Sequence, residues 1–340
     1  MLEEFPDVAD EGRKSPRRRM SAGRKVFIGL LVLLMTGVLA VGGFAAYLSY
    51  LVTSNVTAEP GLVPESMPPP TREDGTVYEI PQRGTGKNIL MLGVDSRPGD
   101  SGRADVIVLA HITEARDKVY LTHFPRDLYV AIPGHGRNKI NASYAWGGPA
   151  LTAETLQNLL GVRIDRVAKT NMQGFENMTN AVGGVRVYAE EASGRGGIQQ
   201  GWNDLDGARA LEFVRERYSL SQGDISRGHR QQAFIKALMV KALSRDVLTN
   251  PVRLTTFVDA ATENLVVDEG FDMGEMRDLA FSLSGLRSED VVFITAPFTG
   301  FGTAPDGGWI EIVDEGGMER LGHAIRTDTM EEYAGGRVIP

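Results

Sequence analysis

The chain of 340 residues has no cysteine, which excludes disulfide scaffolds, Cys-ligated zinc, iron–sulfur clusters and thiol catalysis. Its five histidines do not cluster, and no HExxH pair offers a zinc site. GxxxxGK[ST] is missing, no GxGxxG follows the first apolar strand, and no GxSxG supports a serine-hydrolase elbow. An excess of positive charge is also lacking: 36 Lys+Arg stand against 44 Asp+Glu, a net charge of -8, so no general nucleic-acid-binding surface is expected. What is present suffices for a substantial core, with 42% hydrophobic and 24% charged residues.

Charge disappears altogether from Val26 to Val52, a run of 27 residues. As a helix this run reaches about 40 Å, enough to cross a hydrocarbon layer of about 30 Å with tilt. Arg13, Lys14, Arg17, Arg18, Arg19, Arg24 and Lys25 precede it, and no charge follows until Glu59. That asymmetry predicts a cytoplasmic basic arm (1–25), a transmembrane signal anchor (26–52) and an extracytoplasmic remainder. A cleaved signal peptide is the competing reading, but its apolar region is normally only about 7–15 residues.

Residues 53–86 hold six prolines, including Pro68-Pro69-Pro70, and read as an extended spacer. From Lys87 to Pro340 the composition suits one α/β domain. Asn88–Val94, Ala104–Ile112, Val119–Phe124 and Leu128–Ile132 are expected as strands, followed by a helix from Thr152, its predicted N-cap, to a stop at Gly161. Further strands are expected at Val185–Tyr188 and Val291–Ala296, and helices at Gly207–Arg217, Ser226–Ser244, Pro251–Glu263 and Met273–Leu283. Alternating strands and helices predict a mixed central sheet flanked by helices on both faces.

Charge at the ends of apolar runs marks the candidate site. Asp95 and Arg97 follow the first strand, and Arg103 and Asp105 open the second. Two carboxylates at the ends of adjacent strands can share a hard cation such as Mg²⁺, or each can cap a turn or pair with an arginine. Pro125-Arg126-Asp127 follows a buried strand, with Lys139 and Asn141 beyond; Arg126 is either a site residue or a partner for Asp127. Arg215 and Arg217 end one helix, and Arg227, Arg230 and Gln231 share one face of the next. Cations at a helix N-terminus oppose its dipole, so an anion is expected nearby. The face runs on into Phe234 and Leu238, a gradient suited to an amphiphile with an anionic head, or to an ordinary helix whose first turn meets solvent.

In order, NILMLGVDSR, GRADVIVLAHI, FPRDLYVAIPG, NKINASYAWGG, GFENMTNAVGGVRV, LDGARALEFVRER and DISRGHRQQ resemble the LytR–CpsA–Psr family of bacterial cell-wall ligases. The similarity is dense over residues 86–245 and weaker beyond, where a strand, a loop and a closing helix near Glu311–Ile325 fit the family layout. The resemblance implies transfer of a glycan-1-phosphate from a polyprenyl-pyrophosphate-linked donor onto a peptidoglycan hydroxyl, at the outer face of the membrane. It implies Mg²⁺ on Asp95 and Asp105, catalytic roles for Arg126, Arg215, Arg217 and Arg227, and substrate contacts from Arg97, Arg103, Lys139, Arg230, Gln231, Phe234 and Leu238. Asp127, Asp224 and Asp105 remain alternatives for the base. Two departures from the family pattern stand out: Lys169 in the expected strand Arg166–Asn171, and the Gly-rich segment Ser193–Trp202, expected as a mobile loop. A pyrophosphatase shares the same site chemistry; a membrane-anchored transcriptional regulator is a third reading, for which the 25-residue arm lacks a helix-turn-helix pattern.

Overall fold

The computed structural model describes residues 42–63, 68–78, 86–95, 102–221, 223–242, 244–283 and 285–335. The chain divides into two compact units, Met1–Tyr47 and Leu48–Pro340. In the first unit the described residues, 42–47, are helical. Among the described residues no helix is long and apolar enough to cross a membrane. Most of the expected anchor, 26–41, lies outside them, as do Arg97 and the arm 1–25.

In chain order the elements are α1 (42–55), β1 (Thr57–Glu59), β2 (Lys87–Asp95), β3 (Arg103–Ile112), β4 (Val119–Phe124), β5 (Leu128–Ile132), β6 (Gly136–Lys139), α2 (Asn141–Leu160), β7 (Arg166–Asn171) and α3 (Met172–Ala181). There follow β8 (Val185–Ala189), β9 (Gly201–Leu205), α4 (Gly207–Arg215), α5 (Asp224–Ala242), α6 (Arg245–Leu248), α7 (Pro251–Glu263), β10 (Val266–Asp268) and α8 (Met273–Ser282). The domain closes with β11 (Val291–Thr295), β12 (Phe298–Thr303), β13 (Trp309–Val313), α9 (Glu315–Arg326) and α10 (Met330–Gly335).

The expected mixed sheet is present as seven strands in the order β1-β10-β7-β2-β3-β4-β11, with β2, β3 and β4 antiparallel and β7 and β11 joining in parallel. Strand β3 is apolar from Val106 to Ala110 because both its faces are covered there. Ile107 and Leu109 enter the core beneath α2 and α9, while Val106, Val108 and Ala110 pack with Phe213, Phe234 and Ile235 from α4 and α5. Gly322 lets α9 lie against α2: a Cβ there would stand 1.9 Å from the Leu160 carbonyl oxygen.

Several elements differ from the expectation. Leu128–Ile132 is a strand, but of a second, four-stranded sheet in the order β12-β13-β5-β6. The helix expected from Thr152 begins at Asn141 and bends at Gly147 and Gly148, ahead of Pro149. Thr152 is therefore not an N-cap; its hydroxyl donates to the Gly148 carbonyl at 3.0 Å. Gly161 does stop the helix, in the left-handed region at φ 63° that glycine adopts without strain. The helix expected near Glu311–Ile325 starts at Glu315, Glu311 lies in β13, and a short α10 follows.

The Pro-rich stretch is not a bare spacer. Thr57–Glu59 adds an edge strand beside β10, Leu62 is buried, and the Thr71 amide donates to Asn158 Oδ1 at 2.8 Å. The reason is that apolar residues scattered among the prolines find places on the domain surface. Lys169, the residue out of family pattern, is explained by the same docking: its Nζ lies 2.7 Å from Glu59 Oε2 of the edge strand.

Candidate active site

The bulge between β2 and β3 organises one half of the site. Gly93 pairs with Val106 and Val94 with Ala104, so Asp105 is the extra residue, and Asp95 stands opposite Arg103. Such bulges re-aim a side chain at the rim of a sheet. Asp105, half-buried, accepts a hydrogen bond from Arg126 Nη1. Arg126 Nε also lies 3.4 Å from Asp127 Oδ2, and Lys139 Nζ donates to Asp127 Oδ1 at 2.9 Å. A chain of alternating charge thus runs Asp105, Arg126, Asp127, Lys139 where β4 ends and β5 begins. Arg126 is partner to Asp127, as one of the two readings held, and more directly to Asp105.

Sequence reasoning missed a fifth member. The Glu311 amide donates to the Asp127 carbonyl at 3.0 Å, which pins β13 beside the Pro125-Arg126-Asp127 segment. Among the described residues Glu311 Oε2 is buried without a hydrogen-bond partner. Burial, and after it the charge of Asp127, push this carboxyl up to about 7 against the opposing pull of Arg126 and Lys139. The signal was an acid inside the apolar strand WIEIV, which reads as an ordinary surface residue until the strand's neighbour is known.

The other half is built on α4 and α5. Arg215 ends α4 exposed, while Arg217 lies beyond the helix, not within it. Glu216 between them is buried, and its Oε1 accepts from the amides of Arg217, Tyr218 and Ser219 at 2.8, 2.8 and 3.2 Å. That carboxylate shapes the turn and presents Arg217, whose guanidinium rests 4.5 Å from the Tyr218 ring centroid.

On α5, Arg227 and Arg230 are 8% and 4% exposed, so the first turns do not form a solvated basic face. Arg230 donates to Ser193 Oγ at 3.0 Å and to the Glu191 carbonyl at 2.7 Å, and its guanidinium lies over Phe213 at 4.8 Å. Burial lowers its pKa, with Glu191 and Glu216 opposing. This fork is committed to the hairpin of β8 and β9. Ser193–Trp202 is accordingly ordered, with Ser193 bridged to Ile198 and Trp202 inside β9. Gln231 Nε2 reaches the Val214 carbonyl at 3.4 Å.

Below these residues lies a small apolar cavity of about 20 Å³, bounded by Val106 of β3, Phe175 and Thr179 of α3, Ala210 and Val214 of α4, and Gln231, Phe234 and Ile235 of α5. Leu238 is buried in the same core but does not line this cavity. Asp95 ends β2, and Asp224 opens α5. Arg103 is exposed at the start of β3. Among the described residues no group of three or more His, Cys, Asp or Glu side chains is placed to hold a metal. His123, buried without a partner for either nitrogen, is held at about 4 by burial, hence neutral, as a packing residue should be.

The strand and helix ends thus carry arginines and carboxylates, and a small apolar cavity lies among α3, α4 and α5. The chain belongs to the LytR_cpsA_psr family, whose sequence profile matches residues 67–326. It is 36% identical over 253 residues, 72% of this chain and 76% of the other, to the polyisoprenyl-teichoic acid–peptidoglycan teichoic acid transferase TagU of Oceanobacillus iheyensis. It is 34% identical to the probable cell wall biosynthesis protein LcpB of Corynebacterium glutamicum, over 75% of this chain and 64% of that protein. Two solved structures share the fold: Bacillus subtilis TagV, at TM-score 0.59 and 24% identity over 73% of this chain and 99% of that one, and the LytR-Csp2A-Psr enzyme of Actinomyces oris, at 0.57 and 22% over 76% and 96%.

Proposed function

We propose that this chain moves a glycan-1-phosphate from a polyprenyl pyrophosphate carrier onto a hydroxyl of peptidoglycan, releasing polyprenyl phosphate. The observation that carries the reading is the change from charge to hydrocarbon along α5. Arg227 and Gln231 are buried one turn apart, and Phe234 and Ile235 then wall the apolar cavity. A pyrophosphate held at the first turns would direct its lipid toward these apolar side chains, which must part to admit it, and each CH₂ then buried would contribute roughly 0.8 kcal/mol. The names of the curated relatives, transferases from polyisoprenyl-linked teichoic acid to peptidoglycan, support the same donor and acceptor classes.

As the acceptor oxygen attacks phosphorus, charge grows on the departing polyprenyl phosphate. Arg126, Arg217 and Arg227 are the groups proposed to stabilise it, because a planar fork bonds two phosphate oxygens at once. Arg126 is neutralised by Asp105 and Asp127 and can exchange a carboxylate for a phosphate oxygen. Asp95 and Asp105 are proposed to hold Mg²⁺: they occur at the same end of paired strands and supply the hard oxygen donors that ion takes. When bound, the ion supplies charge neutralisation on the pyrophosphate. The chain is further proposed to be anchored by 26–52 with its catalytic domain outside. A reporter fused after Pro340 that worked only in the cytoplasm would reject that topology.

The test is a labelled donor incubated with the full-length chain and peptidoglycan. Sugar phosphate on the wall material is expected. Free sugar phosphate alone would make the protein a pyrophosphatase and overturn the transfer reading. Asp95→Ala and Asp105→Ala should each abolish magnesium-dependent turnover; a variant that keeps it is not missing a ligand.

A further inference from the structure

The transfer reaction needs a proton acceptor, and three aspartates compete for that role on sequence alone. Two of them are already engaged. Asp105 is bound to Arg126, and Asp127 lies between Arg126 and Lys139. To take a proton, each would have to give up a cation it already contacts. Glu311 stands in contrast. It is tied by its backbone to the carbonyl of Asp127, yet among the described residues its Oε2 is buried without a hydrogen-bond partner.

We propose that Glu311 is the general base that takes the proton of the acceptor hydroxyl. The inference rests on the transfer reading above. In the step, the acceptor O–H bond breaks and its proton passes to a Glu311 carboxylate oxygen. The acceptor oxygen forms the new bond to phosphorus, and the bond from phosphorus to the bridging oxygen breaks. The polyprenyl phosphate leaves with that electron pair, and Glu311 returns its proton to solvent.

The surroundings suit a group that must change charge at each turnover. In the strand register Glu311 stands opposite Leu128 on β5 and Phe301 on β12. The charged groups acting on it are Asp127 at the start of β5, Arg126 beside it and Lys139 of β6. Asp127 resists its ionisation while the two cations favour it, and burial tips the balance toward the neutral acid. A carboxyl balanced in this way titrates near neutral pH, where a general base is most effective. Arg126 links this base to the proposed phosphate site, since it pairs with Asp105 and Asp127 while its charge also acts on Glu311.

The experiment measures kcat and donor KM from pH 5.5 to 9 for the full-length wild type, Glu311→Gln and Glu311→Asp, with a short-chain polyprenyl-pyrophosphate disaccharide and peptidoglycan glycan fragments. Wild-type kcat should rise with pH through about 7. Glu311→Gln should lose on the order of 100-fold in kcat at pH 8, with KM changed less than about threefold and the rise removed. Glu311→Asp should retain the rise at lower kcat. If Glu311→Gln keeps both the wild-type rate and the rise, Glu311 is not the base, while the transfer reading stands. Should the Gln variant fail to fold, an Asp variant as fast as wild type at every pH overturns the proposal, because the shorter side chain cannot reach the same atom. A wild type that transfers nothing defeats the transfer reading instead, and a loss of KM without loss of the pH dependence would reduce Glu311 to a structural role and overturn the inference.

Discussion

Arg126 and Arg230 are both arginines of the candidate site, and they live in opposite circumstances. Arg126 is half-buried among Asp105 and Asp127, its charge answered by charge. Arg230 is 4% exposed, and its fork is filled by a neutral hydroxyl and a carbonyl, with an aromatic ring beneath. The first arrangement is exchangeable: a phosphate oxygen can replace a carboxylate at little cost. The second is a clamp, because withdrawing Arg230 would leave buried acceptors without a donor. Residue type and helix register do not separate the two arginines. Partners do.

The largest effect expected from that contrast is on turnover. Arg126→Ala should lower kcat on the order of 10³-fold, about 4 kcal/mol of barrier, with a near-normal melting temperature. Arg126→Lys should restore only part, since a point charge cannot bridge Asp105 and a phosphate in one plane. Full activity in Arg126→Ala, measured by single-turnover transfer, would remove it from the site.

Arg230→Ala should do the reverse. Leaving Ser193 Oγ and the Glu191 carbonyl unpaired, and a void on Phe213, should cost about 3 kcal/mol of stability by urea unfolding. Turnover per folded molecule should fall less than tenfold at temperatures where the variant is native. A stable Arg230→Ala protein with lost turnover would show that this arginine leaves its clamp to meet substrate.

These two residues also show how far the sequence could be read. The central sheet followed from uninterrupted apolar runs, since β3 and β4 are covered on both faces and periodicity needs no partner to be seen. The second sheet did not, because β12, β13 and β6 are short and partly exposed, and their pairing with β5 is a matter of tertiary contact. In the site, arginines at strand and helix ends were legible as a class. Their assignment to exchange or clamp was not, because Ser193 lies 37 residues from Arg230. Glu311 was hidden for the same reason, 184 residues away from Asp127 in the chain.

A smaller effect distinguishes Glu311 from the paired aspartates through stability alone. Its folded pKa, near 7, lies above the ordinary 4.5, so the native state holds a proton that the unfolded chain releases. This contribution is fully present below about pH 4.5 and is lost as pH rises through about 7. The loss is on the order of 2 kcal/mol after allowance for partial exposure. Thermal melts of wild type should therefore decline over that window more steeply than those of Glu311→Gln, which carries no titrating group there. Parallel curves would mean that the carboxyl ionises normally in the fold.

The smallest effect concerns the edge of the sheet, where Lys169 meets Glu59 across β7, β10 and β1. Glu59 is largely solvated, so the pair should contribute less than about 1 kcal/mol. Docking of β1 should then rest on the backbone ladder with Val266–Asp268 and on the bond of about 2.8 Å from Asn55 Nδ2 to Asp259 Oδ1, not on this charge. Glu59→Gln should lower stability by a few tenths of a kcal/mol, and the difference from wild type should vanish in 1 M salt, where screening acts within about 3 Å. Amide exchange at Ala58 should remain as slow in the variant as in wild type. Rapid exchange there would show that the ion pair fastens β1, and that a residue out of family pattern in β7 was accommodated because the Pro-rich stretch supplies its counter-charge.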